Sequence, residues 1–376
     1  MDKLRFILLF AVVLLAGSAA AYDFESGGLY YNILDADAKT VEVTSGGDGV
    51  TYSAAVVVPR SVSFGGITYM VKGIGENAFD NHYEIHSLSI ADGIETIAYR
   101  AVASCPNLSE LLLPSTLKSI GVSAFNYTHI KNPVLPEGLE SIGNNAFSSC
   151  YNLTKVTLPS TLTSLGSNIF GGSRLSAVVS HIQEPSAIGN DVFNTGNDNH
   201  LTLYVPSGTK SAYGSKAGWN IFNKIYEGEP LEVNVNGINY RYFDDSNEAI
   251  VIDGDYSNME SVTIPGSIPI YGTNYFVKEV GPAAFYYYNN IKTIVIEEGV
   301  EIINNAAFDQ CTSITSIQFP STLKTIGNSA FASCNQGPDI ILPEGLESIG
   351  GGAFHWSNSK KNSPAVFIKV DWLRSV

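Results

Sequence analysis

The chain has 376 residues, and at about 150 residues per domain this length predicts two to three domains. It carries 36 Asp and Glu against 21 Lys and Arg, so its formal net charge is −15. An acidic chain without a basic block is not expected to bind nucleic acid, because phosphate contacts need clustered Lys and Arg. The 44% of hydrophobic residues predict a folded chain, and 35 glycines, 20 tyrosines and 18 phenylalanines favour turns and strands over helices.

The first residues have the pattern of a secretory signal. Lys3 and Arg5 precede an apolar run from Phe6 to Ala16, and Ala19 to Ala21 offer small side chains for cleavage. The run is short for a transmembrane helix, although an uncleaved N-terminal anchor is the alternative. No later stretch approaches the ~20 apolar residues of a transmembrane helix. We therefore predict that residues 1–21 are removed and that the protein is exported to the cell surface, the medium or the periplasm.

A phrase of the form Ile-Gly-x-x-Ala-Phe recurs along the chain. Its copies, some of them weaker, end at residues 79, 102, 125, 147, 170 and 193 and then at residues 285, 308, 331 and 354. Within each set the steps are 22 or 23 residues. A fixed period of this length is typical of a protein built from stacked repeats.

Each repeat also contains a short strand, most clearly in the segment Leu153 to Pro159. Val156, Thr157 and Leu158 alternate as a strand does, and Pro159 ends the strand because it has no N–H to donate. Gly166 is expected to serve a backbone turn. A single repeat cannot bury its apolar residues, so neighbouring repeats are expected to stack as a solenoid with parallel strands about 4.8 Å apart.

The full pattern Leu-x-x-Val-x-Leu-Pro-x-x-Leu-x-x-Ile-Gly-x-x-Ala-Phe-x-x-Cys resembles the repeat of the BspA-like leucine-rich repeat family over residues 74–193 and 280–354. The resemblance implies a β-rich leucine-rich-repeat solenoid with two tandem arrays of about 23-residue repeats, each led by a β-hairpin segment. It also implies a bacterial surface protein that engages host or neighbouring-cell proteins.

The two modules align at an offset of 206 residues, so that Tyr69 to Lys72 correspond to Tyr275 to Lys278. The predicted organisation is a signal peptide (1–21), a first β-rich cap (22–73), array 1 (74–195), a closing segment and linker (196–228), a second β-rich cap (229–279), array 2 (280–356) and an atypical tail (357–376). The tail contains the apolar run 364–370. Either this run is an improvised cap strand, or the chain is shorter than its relatives.

The four cysteines, Cys105, Cys150, Cys311 and Cys334, all lie three residues after the end of a repeat phrase. This shared register predicts a small buried side chain in one slot of the stacked core. Cys105 and Cys150 are two repeats apart, about 10 Å, which is beyond the reach of a disulfide. Cys311 and Cys334 lie in adjacent repeats, so a disulfide between them stays open. No Cys-x-x-Cys is present to indicate a zinc site.

No phrase typical of catalysis occurs: the sequence lacks Gly-x-Ser-x-Gly, a phosphate loop and a dinucleotide fingerprint. The six histidines are scattered, and acidic pairs such as Asp253 and Asp255 lack the spacing of a calcium loop. We therefore predict a protein that is not an enzyme, with no catalytic residue, metal or cofactor. Two carboxylates distant in sequence could still form a glycosidase site, which no motif would reveal.

Successive strands present rows of outward side chains, and such rows form the extended binding surfaces of solenoids. Leu112 and Val134 are neighbouring apolar residues in one such row, although β-propensity alone would also explain them. Tyr286 and Tyr287 are expected to include exposed aromatic anchors on a turn. The candidate partner-binding residues are Glu110, Leu112, Asn132, Val134, Lys155, Thr157, Tyr286 and Tyr287.

The sequence thus predicts an exported, adhesin-like module that binds extracellular or host proteins through its outward strand face. One alternative is a carbohydrate-binding or nutrient-capture module, which would need exposed aromatic platforms along one face. The other is an enzyme with a site in the cap segments, which would need clustered carboxylates in a cleft. The ligand, the oligomeric state and the means of retention at the surface stay open.

Overall fold

The structure is a computed structural model and describes residues 22–194, 201–222, 224–244, 246–334 and 340–355. The predicted signal peptide, the tail 357–376 and its apolar run lie outside the described residues. The described chain forms two compact units. Unit 1 falls within Met1–Ile130, Pro136–Ser149 and Thr163–Ile169, and unit 2 within Lys131–Leu135, Cys150–Leu162 and Phe170–Val376. No helix in the described ranges is both long enough and apolar enough to cross a membrane.

The predicted β-rich repeat fold is confirmed, since strands dominate and one short helix is described. In chain order the first half of the elements is β1 Phe24–Ser26, β2 Leu29–Asp35, β3 Thr40–Thr44, β4 Ala55–Val58, β5 Ser61–Phe64, β6 Ile67–Ile74, β7 Ser87–Ile90, β8 Thr96–Ile97, β9 Glu110–Leu112, β10 Ser119–Ile120, β11 Ser141–Ile142, β12 Lys155–Leu158, β13 Ser164–Leu165 and β14 Ala177–Ser180. The remainder is β15 Thr202–Val205, α1 Lys210–Ser215, β16 Lys224–Glu227, β17 Leu231–Val235, β18 Ile238–Phe243, β19 Glu248–Val251, β20 Ser261–Ile264, β21 Ser267–Ile270, β22 Thr273–Val280, β23 Thr293–Ile296, β24 Ile302–Ile303, β25 Ser316–Gln318, β26 Thr325–Ile326 and β27 Ser348–Ile349.

These strands form separate sheets in the two units. In unit 1 the described strands are ordered β1-β2-β3-β6-β8-β10-β11-β13, with β5 on β6, and β4-β7-β9. In unit 2 they are ordered β12-β14-β15-β16, then β17-β18-β19-β22-β24-β26-β27 with β21 on β22, and β20-β23-β25. Each array therefore runs along parallel strands, as the repeat predicts.

Two kinds of strand recur along the arrays, and each pairs in parallel with its counterpart in the next repeat where that repeat has one. Ser87 pairs with Glu110, and Thr96 pairs with Ser119, all in parallel register. The first kind is the strand expected before the repeat proline, and it is missing at residues 131–135 and 340–342, which have no strand structure. The second is two residues long and lies where we expected only a turn, because so short a strand carries no alternating pattern.

The two caps are built alike. In the first, β2 and β3 are antiparallel, β3 then pairs in parallel with β6, and the register shifts between Val41 and Glu42. In the second, β18 and β19 are antiparallel, β19 pairs in parallel with β22, and the shift falls between Ala249 and Ile250. The matching irregularities place Glu42 and Ile250 at equivalent positions.

A column of phenylalanine rings forms the centre of each array. In unit 1 the Phe125 and Phe147 rings stack with centroids 5.3 Å apart. In unit 2 the Phe308 ring lies 5.0 Å from Phe285 and 5.1 Å from Phe331, with the planes nearly parallel. All five side chains are fully buried. Each ring thus fills the space between two repeats, which explains why the phrase recurs at a fixed step.

Helix α1 lies after the first array, between β15 and β16. Trp219, which follows the helix, packs against the Phe193 ring at 5.4 Å and against Tyr213 of the helix at 4.9 Å. Its indole Nε1 donates a hydrogen bond to the Ser186 carbonyl oxygen at 2.9 Å. The phenylalanine column of array 1 is therefore followed by buried aromatic residues of the segment 201–222.

The repeat glycine is required by close packing. A Cβ atom on Gly166 would lie 2.5 Å from the Asn144 backbone nitrogen of the preceding repeat, and one on Gly143 would lie 2.6 Å from the Val122 nitrogen. Neither glycine has a positive φ. We expected a turn that needs glycine's freedom, whereas the structure shows that the neighbouring repeat leaves no room for a side chain.

The four cysteines are buried in the structure, and no disulfide joins any of them. Cys105 Sγ donates to the Phe79 carbonyl oxygen at 3.0 Å, and Cys311 Sγ donates to that of Phe285 at 2.9 Å. Burial raises the pKa of the Cys105 thiol to about 12, so it stays protonated and keeps this donor. Cys105, Cys311 and Cys334 therefore each link their repeat to the backbone of the preceding one.

Candidate functional site

The outward face of the sheet β4-β7-β9 in unit 1 carries two exposed apolar side chains. The register places Val57, Ser89 and Leu112 side by side, and we call these three residues the open row. Val57 is 66% exposed and Leu112 is 64% exposed, whereas Leu88, next to Ser89 in the strand, is buried. At about 4.8 Å between strands, the two apolar side chains lie about 10 Å apart. Apolar groups of this size on open strands are available for a partner.

Polar residues surround the open row. In the same sheet Ser87 is half-buried and Glu110 is exposed. Val57 was not among the predicted residues, because the step from β4 to β7 is longer than one repeat. The signal was nevertheless present, since Val56 to Pro59 repeats the strand-then-proline pattern of Val156 to Pro159. The first cap therefore extends the strand face of array 1 by one strand.

In unit 2, Val134 is 81% exposed and lies in a segment without strand structure. Beside it, the Asn132 Oδ1 accepts hydrogen bonds from the backbone N–H of Thr154 at 3.1 Å and of Lys155 at 2.8 Å. In unit 1 the His86 backbone carbonyl accepts the corresponding pair of N–H groups. The Asn132 side chain thus replaces a backbone acceptor in a repeat whose step is 22 rather than 23 residues.

Further along unit 2, the outward face of the strands is covered. Ala177 and Val179 of β14 and Tyr204 of β15 form one buried cluster with Ile250 and with two further residues of the second cap, Phe243 and Ile252. All of these side chains are at most 8% exposed. The predicted binding face is therefore not continuous, since this part of it is already occupied by the chain itself.

Ion pairs border the covered region. The Lys155 Nζ lies 3.3 Å from Glu232 Oε1, and Arg241 Nη2 donates to the same oxygen at 2.7 Å. Burial raises the pKa of the Glu232 carboxyl, but the charges and hydrogen bonds of Arg241 and Lys155 outweigh burial and hold the pKa below its ordinary value. Nearby, the Lys131 Nζ lies 3.6 Å from Asp253. Lys155, expected to be part of an open face, is thus held in a charged network with the second cap.

The two candidate tyrosines differ from each other. Tyr286 is half-buried because the Arg174 guanidinium carbon lies 3.5 Å from the centre of its ring, while Arg174 also pairs with Asp309 at 2.9 Å. Tyr287 is exposed and has a φ of 68°, and Gln310 in the next repeat has a φ of 60° at the same position. The left-handed backbone is therefore a property of the repeat. Whether either tyrosine contacts a partner stays a prediction.

Within the described ranges, no group of three or more His, Cys, Asp or Glu residues is placed to hold a metal ion. Thr157 is half-buried on β12 and lies opposite the buried Val179 of β14, and its contact with a partner stays a prediction. The exposed apolar row in unit 1 and the charged network in unit 2 are the features that remain to be explained.

Comparison with known proteins identifies the repeats. The description "BspA type Leucine rich repeat region" matches residues 72–199 and 278–365, in six copies. A search among curated proteins gave no match. Similar solved structures include a leucine rich cell surface protein from Faecalibacterium prausnitzii, with 21% identity, a TM-score of 0.38, and coverage of 90% of this chain and 87% of that one.

Two further solved structures are similar over most of the chain. The pneumococcal vaccine antigen PcpA has 18% identity and a TM-score of 0.39, with coverage of 89% of this chain and 79% of that one. A leucine-rich repeat protein from Bacteroides ovatus has 22% identity and a TM-score of 0.37, with coverage of 89% and 92%. The family match spans both repeat arrays.

Proposed function

Because the chain belongs to the BspA type leucine-rich repeat family, we propose that it is an exported bacterial surface protein that binds other proteins through the open row. The single observation that carries this proposal is the pair of exposed apolar side chains, Val57 and Leu112, on the two strands of unit 1 that flank β7. The proposed activity is binding, and no chemical step is assigned to the protein.

The physical support is the anatomy of the row. A small apolar centre with a polar rim is the arrangement in which a few anchor residues supply most of the binding free energy. Ser87 and Glu110 provide that rim and can hydrogen-bond to the partner. Because specific interfaces bury about 1,200–2,000 Å² in total, the partner must also contact residues beyond the row.

The proposal is tested by a binding screen with the purified protein. Immobilised extracellular-matrix proteins and plasma proteins are the targets, and Leu112→Arg is measured beside the parent. We expect a protein ligand whose affinity falls at least about 10-fold in the variant, because an arginine at the centre of an apolar interface leaves a charge without water.

The matched control is Val122→Arg. Val122 belongs to the same repeat and is also exposed, but it lies outside the strand face. Val122→Arg should bind the ligand as tightly as the parent does. Both variants should melt within a few degrees of the parent, because surface substitutions usually change the free energy of unfolding by no more than about 0.5 kcal/mol. Binding that survives Leu112→Arg, or the absence of any protein ligand, would argue against the proposal.

The export part of the proposal rests on the first 21 residues and has its own test. The protein is expressed in its host, and the mass of the form found outside the cytoplasm is measured. We expect a mature chain that begins at Tyr22, because the small residues before it suit signal cleavage. An intact chain that stays in the cytoplasm would remove this part of the proposal and leave the binding part standing.

A further inference from the structure

A polar cleft of about 480 Å³ lies in unit 2, at the edge of the covered strand face. One wall comes from the array, with Lys131, Asn132 and Lys155, and the other comes from the second cap, with Glu232 and Asp253. The volume is within the usual range of about 300–1,000 Å³ for small-molecule sites. Most such sites are lined chiefly by apolar side chains, so a lining this polar indicates a polar ligand.

The charges of the lining cancel. Three cationic and three carboxylate side chains line the cleft, and all of them except Asp255 take part in an ion pair. Lys155 and Arg241 share Glu232, and Lys131 lies beside Asp253. An anionic ligand would find every cation of the lining already paired and would have to displace one of these pairs, which is costly for groups that are partly buried. The cleft therefore favours a neutral polar ligand over an anionic one.

Hydrogen bonds fix the orientation of the lining groups and leave some of their atoms available. The Asn132 Oδ1 accepts hydrogen bonds from the backbone N–H groups of Thr154 and Lys155, which hold the amide in place. The Nδ2 of the same amide takes no part in these two bonds and can donate to a ligand. Glu232 Oε1 receives Arg241 and Lys155, and within the described residues no donor reaches its Oε2. Donors and acceptors are thus presented side by side by a preorganised frame.

We infer that this cleft binds a neutral polyhydroxylated ligand, namely a hexose unit of a saccharide. Each sugar hydroxyl both donates and accepts, so neighbouring hydroxyls can accept from Asn132 Nδ2 or Lys155 Nζ and donate to Glu232 Oε2 or Asp253. Arg241, 2% exposed, forms the floor and locks the Glu232 carboxylate by two hydrogen bonds. The inference is independent of the open row in unit 1, and it relies on hydrogen bonds rather than on the aromatic platforms expected from the sequence.

The test is titration calorimetry of the full purified protein with glucose, galactose, mannose, maltose and lactose. Glucuronate and galacturonate serve as charged counterparts of the same shape. We expect saturable binding of at least one neutral sugar, and binding of its acidic counterpart that is at least about 10-fold weaker. Silence with every neutral sugar, or tighter binding of an acidic sugar, would overturn the inference.

Variants locate the site. Lys155→Ala and Lys131→Ala should each weaken sugar binding at least about 10-fold, since each removes a cationic donor from the array wall of the cleft. Lys118→Ala is the control, because Lys118 is an exposed lysine that pairs with Glu140 in unit 1. Thermal melting checks folding, and if Lys155→Ala unfolds then Lys131→Ala decides the outcome. Sugar binding that is unchanged in the lysine variants of the cleft would place the site elsewhere and refute the assignment.

Discussion

The outer faces of the two caps have the same backbone and different chemistry. Pairing places Asn32 opposite Glu42 in the first cap, and Arg241 opposite Ile250 at the equivalent positions of the second. Asn32 and Glu42 are half-buried, whereas Arg241 and Ile250 are buried. The second face lies against β14 and β15, and Ile250 joins their apolar cluster. The residue types on the two cap faces therefore differ according to whether another part of the chain covers the face.

This comparison also explains where binding surfaces remain. The strands β14 and β15 have lost their outward face to the second cap, whereas β4, β7 and β9 keep theirs. A repeat array does not offer its whole face to a ligand merely because its strands are regular. The open row is meaningful because its apolar residues, Val57 and Leu112, stay exposed where the covered strands bury theirs.

The largest expected loss of stability follows from removing a ring of the phenylalanine column, which both units contain. Phe308→Ala removes a ring stacked between two others, and the cavity should lower the free energy of unfolding by about 3–5 kcal/mol. Phe125→Ala in unit 1 should cost a similar amount, because Phe125 is also fully buried and stacked. Denaturant unfolding of both variants measures the two losses, and a loss below about 1 kcal/mol in either unit would show that its column is not a tightly packed core.

The second-largest effect on stability comes from exchanging the residues that distinguish the two cap faces. Ile250→Glu gives the second cap the residue of the first and buries a carboxylate in an apolar cluster, so we expect a loss of about 2–4 kcal/mol. The reciprocal change, Glu42→Ile, should alter the free energy of unfolding by no more than about 0.5 kcal/mol. Equal effects of the two changes in chemical denaturation would contradict the claim that only the second face is covered.

A smaller effect is expected at Arg174, which contacts Tyr286 and Asp309 within unit 2. Arg174→Ala removes the ion pair and the contact with the tyrosine ring, at a cost of about 1–3 kcal/mol. Burial raises the pKa of Asp309, and Arg174 opposes that rise. The loss should therefore be full at neutral pH and shrink as the pH falls through the Asp309 pKa, because a protonated Asp309 needs no cation.

Arg174→Lys is the control for the charge, since it keeps the cation and loses the flat stacking surface. It should recover part of the stability at neutral pH. Unfolding curves at several pH values measure both variants. A loss for Arg174→Ala that does not change with pH would mean that ring packing, and not the pairing with Asp309, accounts for the effect.

The smallest expected effect is a pH-dependent change in stability at Glu42, on the uncovered face of the first cap. Burial, followed by the nearby Glu76 charge, raises the pKa of Glu42 above its ordinary value. A carboxyl with a raised folded pKa contributes most at low pH, and the protein loses that stability as the pH rises through the folded pKa. Glu42→Gln should therefore match the parent below the ordinary pKa and exceed it slightly at pH 7.

The gain at pH 7 should be no more than about 0.5 kcal/mol, because Glu42 is half-exposed and solvent screens its charge. Thermal unfolding at the two pH values measures it. The control is Glu95→Gln, since Glu95 is an exposed carboxylate that pairs with Lys72 at 2.7 Å and should gain nothing on losing its charge. A variant Glu42→Gln that is less stable than the parent at pH 7 would contradict the assignment.

Much of the fold could be predicted because the same residue types recur at the same positions of successive repeats. The phenylalanine and cysteine positions, the strand before most repeat prolines and the similarity of the two caps all follow from residues that recur at one step. The two-residue strands, such as Ser119–Ile120, could not be predicted in this way. They are held by neighbouring repeats and carry no alternation of their own.

The candidate site was only partly accessible from sequence because covering contacts join residues far apart in the chain. Arg174 covers Tyr286 across more than a hundred residues, and nothing local to either one indicates it. The apolar run Ala177 to Val179 does not mark the covered strand, because Val56 to Val58 of the open sheet is an equal run. The offset of 206 residues aligns Glu42 with Glu248 and not with Ile250, so the sequence does not show that difference between the caps either.

The most direct test of protein binding by the open row is hydroxyl-radical footprinting of the complex with the protein ligand found in the screen. The oxidation rates of Val57 and Leu112 are compared with and without the ligand, and exposed Val122 serves as the internal reference. The account predicts that oxidation of Val57 and Leu112 falls at least about threefold on binding while that of Val122 is unchanged, because anchor residues lose water access at an interface core. Unchanged oxidation of both open-row residues, with protection elsewhere, would contradict it.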